Sequence, residues 1–169
     1  RIKLGENVPL LKDEKGRFDL IVSFPPFGLR PNSFKESTYK DIATDLFFES
    51  SLKLEQNGIL SFLMSAKFAF DKRIKSDLKT NGIYVNGLFY LPEGSHRPIA
   101  GVNSCFVIAS KVKTEQTFVS ELSKDNNINK VIFDNYKKNV NGKTLQLGKL
   151  IDFDNFTSYK ALKNTEELT

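Results

Sequence analysis

Apolar positions along this chain recur with two different periods, and the switches between them divide it into strands and helices. The run Arg17-Phe18-Asp19-Leu20-Ile21-Val22-Ser23 is short, apolar and partly β-branched, and it leads directly into Phe24-Pro25-Pro26-Phe27-Gly28. This pattern predicts a strand followed by an enforced turn, because consecutive prolines bring no amide hydrogens to a ladder. Ala43, Leu46, Phe47, Ser50 and Leu54 then fall at i, i+3, i+4, i+7 and i+11, one helical stripe, and Asn57-Gly58 is expected to stop that helix as a left-handed cap. The run Ile59-Leu60-Ser61-Phe62-Leu63-Met64 is too continuously apolar for a sheet face open to water, which predicts an interior parallel strand. Phe70, Ile74 and Leu78 mark a second helix, closed by Asn81-Gly82. A third strand, Ile83 to Leu91, passes through a loop from Pro92 to Pro98 into an apolar strand from Ser104 to Ser110.

Strands alternating with helices of this length predict βαβ units, class α/β, and a mainly parallel sheet with right-handed crossovers. The last two strands have no helix between them, so they are expected to form an antiparallel pair that closes the sheet. From Lys111 onward the sequence turns polar and rich in Asn and Lys. One helix is expected there, from about Val119 to Tyr136, with turns at Gly142-Lys143 and Leu147-Gly148. Little regular structure is expected beyond Gly148, apart from a short edge segment at Asp152-Phe153-Asp154-Asn155-Phe156. No internal repeat or low-complexity tract is evident.

Size and composition narrow the function classes. With 169 residues, 40% of them hydrophobic, the chain is expected to form one domain with a sizeable core. No apolar run approaches the roughly eighteen residues a membrane span needs, and Arg1-Ile2-Lys3-Leu4 begins no signal segment, so a soluble, cytoplasmic protein is expected. The absence of an initiator Met at Arg1 suggests a piece of something longer. Cys105 lies inside the apolar run Ser104 to Ala109, where a buried, inert thiol is expected rather than a nucleophile. One His and one Cys are too few for a usual zinc or iron site, and no metal is expected. A formal charge of +5 is compatible with a polyanionic partner such as DNA without demanding one. Lys124, Lys130, Lys137, Lys138 and Lys143 would suit phosphates, but Glu121, Asp125 and Asp134 are interspersed among them, and an ordinary charged surface explains them equally well.

Ligands of open α/β sheets bind beyond the carboxyl ends of the strands, and here that location is the Pro-Pro turn. A rigid corner there holds backbone carbonyls and an aromatic ring in fixed directions, which suits a pocket for a planar base. The bland alternative is a plain turn whose phenylalanines pack inward. His96 and Arg97, in the loop after Pro92, would suit DNA or the target base, with a solvated loop pair as the simpler explanation.

The string Phe18-Asp19-Leu20-Ile21-Val22-Ser23-Phe24-Pro25-Pro26-Phe27-Gly28 resembles the fourth motif of amino-group methyltransferases. Five downstream pieces are similar, in order and spacing, to the modification subunits of type I restriction systems and kindred adenine methylases. They are Leu46-Phe47-Phe48, Leu52-Lys53-Leu54 with Asn57-Gly58, Tyr90-Leu91-Pro92-Glu93-Gly94, Gly101-Val102-Asn103-Ser104 and Phe106-Val107-Ile108. The resemblance spans about Phe18 to Leu150. It implies an S-adenosylmethionine-dependent methyltransferase fold with Rossmann-like topology, present here as its carboxyl half. Residues 1–113 would form the half-domain and 114–169 a polar extension packed on it.

The resemblance further implies S-adenosylmethionine as methyl donor and a flipped adenine as acceptor. In that reading the Pro25 carbonyl accepts a hydrogen bond from the exocyclic amine, Pro26 stiffens the corner, and the Phe27 ring stacks on the base. A specificity subunit or the missing amino-terminal half would be a partner beside DNA. Two features depart from the family pattern. Phe24 stands where the family carries Asn or Asp, and Ser23, the nearest hydroxyl, is expected to point the other way on the strand. No glycine turn precedes Phe18; Glu6 and Asp13 are either remnants of cofactor-side segments or solvated acids. The sequence therefore leaves open a catalytically degenerate module that binds DNA or a partner subunit, and methylation of RNA or of a protein amide.

Overall fold

The computed structural model describes residues 15–25, 38–39, 41–96 and 103–167. The described elements are β1 (Phe18–Ser23), α1 (Ile42–Leu52), β2 (Leu54–Ser65), a 3-10 turn (Ala66–Phe70), α2 (Lys72–Thr80), β3 (Tyr84–Tyr90), β4 (Ser104–Ser110), β5 (Thr117–Glu121), α3 (Asn126–Lys138), β6 (Lys149–Ile151) and α4 (Tyr159–Glu167). The strands form one sheet in the order β1-β2-β4-β3-β5-β6. β1 pairs parallel with β2, and β3 parallel with β5, while β4 runs against both β2 and β3 and β6 runs against β5. The fold is thus α/β, with β1, β2, β3 and β5 pointing one way. β3 and β4 are antiparallel as expected, but they do not close the sheet. β4 lies between β2 and β3, and the polar tail adds β5 and β6 beyond them.

The expected helices form where the apolar stripe can be buried. Ala43, Leu46, Phe47 and Ser50 all face inward from α1, which opens on Asp41, whose Oδ2 accepts from the Thr44 N–H at 3.2 Å and the Thr44 hydroxyl at 2.6 Å. Asn57-Gly58 does not end this helix, contrary to the sequence expectation. The helix stops at Leu52, and Leu54 already belongs to β2, where it is fully buried and pairs with Phe18. The next pair in register is Leu20 with Ile59, so residues 55–58 are absorbed as an irregularity in β2. Gly58 is there for close approach, since a Cβ would come within 2.9 Å of the Phe18 carbonyl oxygen. The second Asn-Gly pair does cap its helix. Gly82 has φ +64, the Ile83 N–H donates to Leu78 O at 2.9 Å and the Gly82 N–H to Lys79 O at 3.2 Å, which completes a Schellman motif around the buried pair Leu78 and Ile83.

The tail departs most from expectation. A single helix over 119–136 is replaced by β5 and then α3, which begins only at Asn126, after the cap residue Asp125. The segment Thr117-Phe118-Val119-Ser120-Glu121 finds a parallel partner in β3, and burying Phe118 and Val119 in the sheet outweighs continuing the helix toward the amino terminus. Both turns are present. Gly142 N–H donates to Gly148 O at 2.7 Å, and Gly148, at φ +109, leaves no room for a Cβ against the Phe118 ring. The edge segment lies at Lys149–Ile151 rather than 152–156, and α4 forms where little regular structure was expected. Tyr159 of α4 stacks on Tyr90 with centroids 4.7 Å apart, which gives that helix its anchor.

One sheet face is covered along its length. Phe47 and Leu46 of α1, Ile74 and Leu78 of α2 and Tyr159 of α4 share one core with Leu60, Phe62, Met64, Val107, Ala109, Leu88 and Val119. On the other face α3 covers β3 and β5, where its Ile132 packs with Phe89 and Phe118. Lys75 of α2 ties the tail down, donating to the carbonyls of Phe153 at 2.7 Å, Asp154 at 3.0 Å and Phe156 at 2.6 Å. Cys105 is buried and free, and burial pushes its thiol up to about 12, as an inert core cysteine requires. No helix among the described residues is long and apolar enough to cross a membrane.

Candidate functional site

β1, β2, β3 and β5 all end at the same edge of the sheet, and β4, running the other way, begins there. This carboxyl edge is where the topology of open α/β sheets leaves a ligand crevice. Its components are locked together: Ser65 pairs with Ser104, the Ala66 N–H donates to Asn103 O at 2.9 Å, and the Leu91 N–H donates to Ser104 O at 3.0 Å. Phe24 and Pro25 leave β1 at this edge.

The strand's alternation continues into the turn. Ile21 and Ser23 are half-buried and Pro25 is buried, whereas Leu20, Val22 and Phe24 alternate with them and are exposed. Ser23 and Phe24 therefore face opposite sides, as the strand period dictates. The Phe24 ring meets Phe106 of β4 edge-on, with centroids 5.7 Å apart and planes at 83°, while remaining 65% exposed. Pro26 and Phe27 lie outside the described residues, as do Arg97, Glu6 and Asp13. His96 is tied to the sheet, since its Nε2 and the buried Ser104 Oγ share a hydrogen bond of 2.6 Å. Of the tail lysines, Lys130, Lys137 and Lys138 lie on α3, Lys124 just before it and Lys143 in the turn region beyond it.

A cleft of about 790 Å³ opens beyond the end of β2, between the starts of α1 and α2; its polar walls include Tyr39, Asp41, Ser65, Lys67, Arg73 and Asn103. Phe24 and Pro25 are not among its lining residues. Tyr39 is fixed there on three sides. Its hydroxyl donates to Asp77 Oδ2 at 2.5 Å, its ring stacks on Phe48 at 4.9 Å, and the Arg73 guanidinium lies 5.1 Å from the ring centroid. Burial and the Asp77 carboxylate both raise the phenol pKa, so Tyr39 stays protonated and acts as a donor. The sequence reading missed this cleft, although one signal was available: Ser65 and Asn103 flank strands at their carboxyl-edge ends.

Phe24 and Pro25, which open the turn after β1, contribute no glycine and so no close backbone approach. The amino termini of α1 and α2 at the cleft are capped by their own carboxylates, Asp41 and Asp71, with Asp71 Oδ1 accepting from the Arg73 and Ile74 N–H groups at 2.9 and 3.1 Å. No cluster of three metal-ligating side chains occurs among the described residues.

No protein-family model matches the sequence, and no curated protein matches it. Solved structures do. A chain from a type I restriction-modification complex, described in terms of its assembly and conformational transition, superposes with TM-score 0.66 at 14% identity, covering 94% of this chain. A protein assigned as the modification subunit of a type I restriction enzyme from Vibrio vulnificus YJ016 gives TM-score 0.65 at 15% identity over 90% of this chain. The methyltransferase subunit of a type I restriction-modification system from Streptococcus thermophilus gives 0.63 at 16% identity over 92%. Likeness at such identity establishes a shared fold. This chain spans 38%, 42% and 38% of those three chains, so more than half of each has no counterpart here.

Proposed function

We propose that this chain is the target-base side of an adenine-specific DNA methyltransferase domain of the restriction-modification kind. The reaction of the whole domain is methyl transfer from S-adenosylmethionine to the exocyclic amine of adenine in DNA. One observation carries the reading. The strand Phe18–Ser23 brings Phe24 and Pro25, which open the sequence Phe-Pro-Pro-Phe-Gly, to the carboxyl edge of a sheet that shares its fold with type I modification subunits. Residues 1–113 correspond in this reading to the carboxyl half of that domain, and 114–169 continue its sheet through β5 and β6. S-adenosylmethionine is the donor by family resemblance.

The chain's own residues act on the acceptor. Pro25, with φ set by its ring, directs its carbonyl at the adenine amine and accepts a hydrogen bond from it. Pro26 keeps the corner rigid, and Phe27 stacks on the flipped base, a contact that contributes about 1–3 kcal/mol. The +5 charge favours a polyanionic partner. DNA is that partner, and a specificity subunit selects the site.

Phe24 favours a second reading. A phenyl ring offers no acceptor where the family has Asn or Asp, and one unpaired donor on a buried amine costs about 1–3 kcal/mol. In this reading the module binds DNA or a partner subunit and transfers nothing. Calorimetric titration with S-adenosylmethionine and labelled methyl transfer to DNA, each with and without Phe24→Asn, separate the two. Transfer by the unaltered protein supports the enzyme; transfer appearing only in Phe24→Asn supports the degenerate module.

A further inference from the structure

The edge of the sheet opposite Phe24 and Pro25 carries a second cleft, of about 580 Å³, where β2, β3, β4 and the end of α3 come together. Two strand irregularities open onto it. Asn57 lies in the stretch of β2 between the paired residues Leu54 and Ile59. Asn86 is an extra residue in β3, because Val85 pairs with Ala109 and Gly87 already with Ile108. Irregularities of this kind re-aim a side chain out of the strand's alternation. Gln116, just before β5, and Asn139, the left-handed cap residue of α3 at φ 54, bring two more carboxamides to the same cleft. Among the described residues none of these four carboxamide groups has a hydrogen-bond partner.

The other walls are apolar or aromatic. Ile59 and Ile108 line the cleft from β2 and β4, and Tyr136 lines it from α3. Gly87, paired with Ile108, makes room for that ring, since a Cβ there would come within 3.1 Å of Tyr136 Cε2. Phe89 holds the ring edge-on at 5.2 Å between centroids, and Phe118 supports it at 5.6 Å. Burial raises the Tyr136 phenol pKa, so its hydroxyl stays a donor. A fixed aromatic ring, an apolar wall and a few convergent polar groups are the usual ingredients of a small-molecule site. Each carboxamide offers two donors and an acceptor, which matches the mixed edge of a heterocycle. Charge favours a neutral ligand. Glu115 and Lys137 offset each other at the rim, and the last carbonyls of α3 carry the negative end of its dipole, which opposes an anion.

We propose that this cleft binds a neutral heterocyclic base, free or carried on a nucleoside. Asn57, Asn86, Gln116 and Asn139 hydrogen-bond the edge of the heterocycle, and Tyr136, Ile59 and Ile108 pack against its faces. The site is separate from the Pro25 corner, at the other edge of the sheet, and it holds whether or not that corner serves an adenine in DNA.

Titration of the 169-residue chain with adenosine, followed by NMR of backbone amides and side-chain carboxamides, tests the site. Shifts are expected at Asn57, Asn86, Ile108, Tyr136 and Asn139, saturating with a dissociation constant of about 0.1–1 mM. Asn57→Ala combined with Asn86→Ala is expected to weaken binding by about tenfold or more, because two edge hydrogen bonds are lost, with the rest of the spectrum unchanged. Gln116→Ala, at an exposed position, is expected to weaken it by about threefold on its own. Adenosine monophosphate should bind no more tightly than adenosine, and maltose, which has no planar ring, should leave these signals in place. The proposal is overturned by an absence of shifts at about 5 mM adenosine. Shifts confined to the other edge, around Phe24 and Phe106, overturn it too, as does undiminished affinity in both the double variant and Gln116→Ala. Tighter binding of the monophosphate or of maltose than of adenosine has the same consequence.

Discussion

The two faces of the sheet carry similar apolar sequence and meet different fates. On one, Leu60, Phe62, Met64, Val107 and Ala109 are sealed beneath three helices; on the other, Leu20, Val22, Ile59 and Phe24 remain open at the β1 end. Hydrophobicity alone does not distinguish Ile59 from its chain neighbour Leu60. What differs is the presence of a covering layer among the described residues, which teaches that burial in this sheet is set by the helix packed above a position and not by the apolar residue itself.

The comparison can be broken at several points. The largest effect is expected on the closed side, where Phe47 meets Phe48, Phe62 and Phe68 within 5.6 Å between centroids. Phe47→Ala is expected to destabilise the protein by about 3–5 kcal/mol in urea unfolding, through lost burial and the cavity left behind. A loss under about 1 kcal/mol would mean that this face is not the core. Also on that side, Cys105 should react with a thiol reagent in the native state about a thousand-fold more slowly than an exposed cysteine, and at full speed in denaturant, because its ionisation is pushed up to about 12.

At the boundary of the tail, Lys75→Met should cost about 1–3 kcal/mol, because three carbonyls lose their shared donor. Limited proteolysis should then cut faster around Phe153 to Phe156. The smallest effect is expected on the open face. Val22→Lys should change the stability of the 169-residue chain by less than about 0.5 kcal/mol, because an exposed position loses little on becoming polar.

The sequence was most legible where periodicity and capping agreed. Ser104–Ser110 stands out as an unbroken apolar run with polar flanks, and Asn81-Gly82 follows a helix whose stripe ends at Leu78, so both were placed correctly. Asn57-Gly58 carries the same letters in a different setting. Its glycine serves the close approach to the Phe18 carbonyl, a long-range requirement that local sequence does not encode. β5 was missed for a related reason: Thr117-Phe118-Val119-Ser120-Glu121 is five residues long, and pairing with the distant β3 and β6 makes it a strand. At the site, the strand and the turn position of Phe24 and Pro25 were legible from the prolines. The cleft around Tyr39 was not, because Tyr39, Ser65, Arg73 and Asn103 are distant in sequence and only the sheet's carboxyl edge brings them together. The Phe24 position was visible as a departure from the family pattern, but its outward face depended on which side of β1 has a covering layer.

The central claim is that the Pro25 corner serves an adenine in DNA. The most direct test incubates the protein with S-adenosylmethionine carrying a labelled methyl group and unmethylated bacterial DNA, then digests the DNA to nucleosides for mass spectrometry. The account predicts labelled N6-methyladenine as the product. Label recovered in cytosine, in RNA or in protein, with none in adenine, would contradict it.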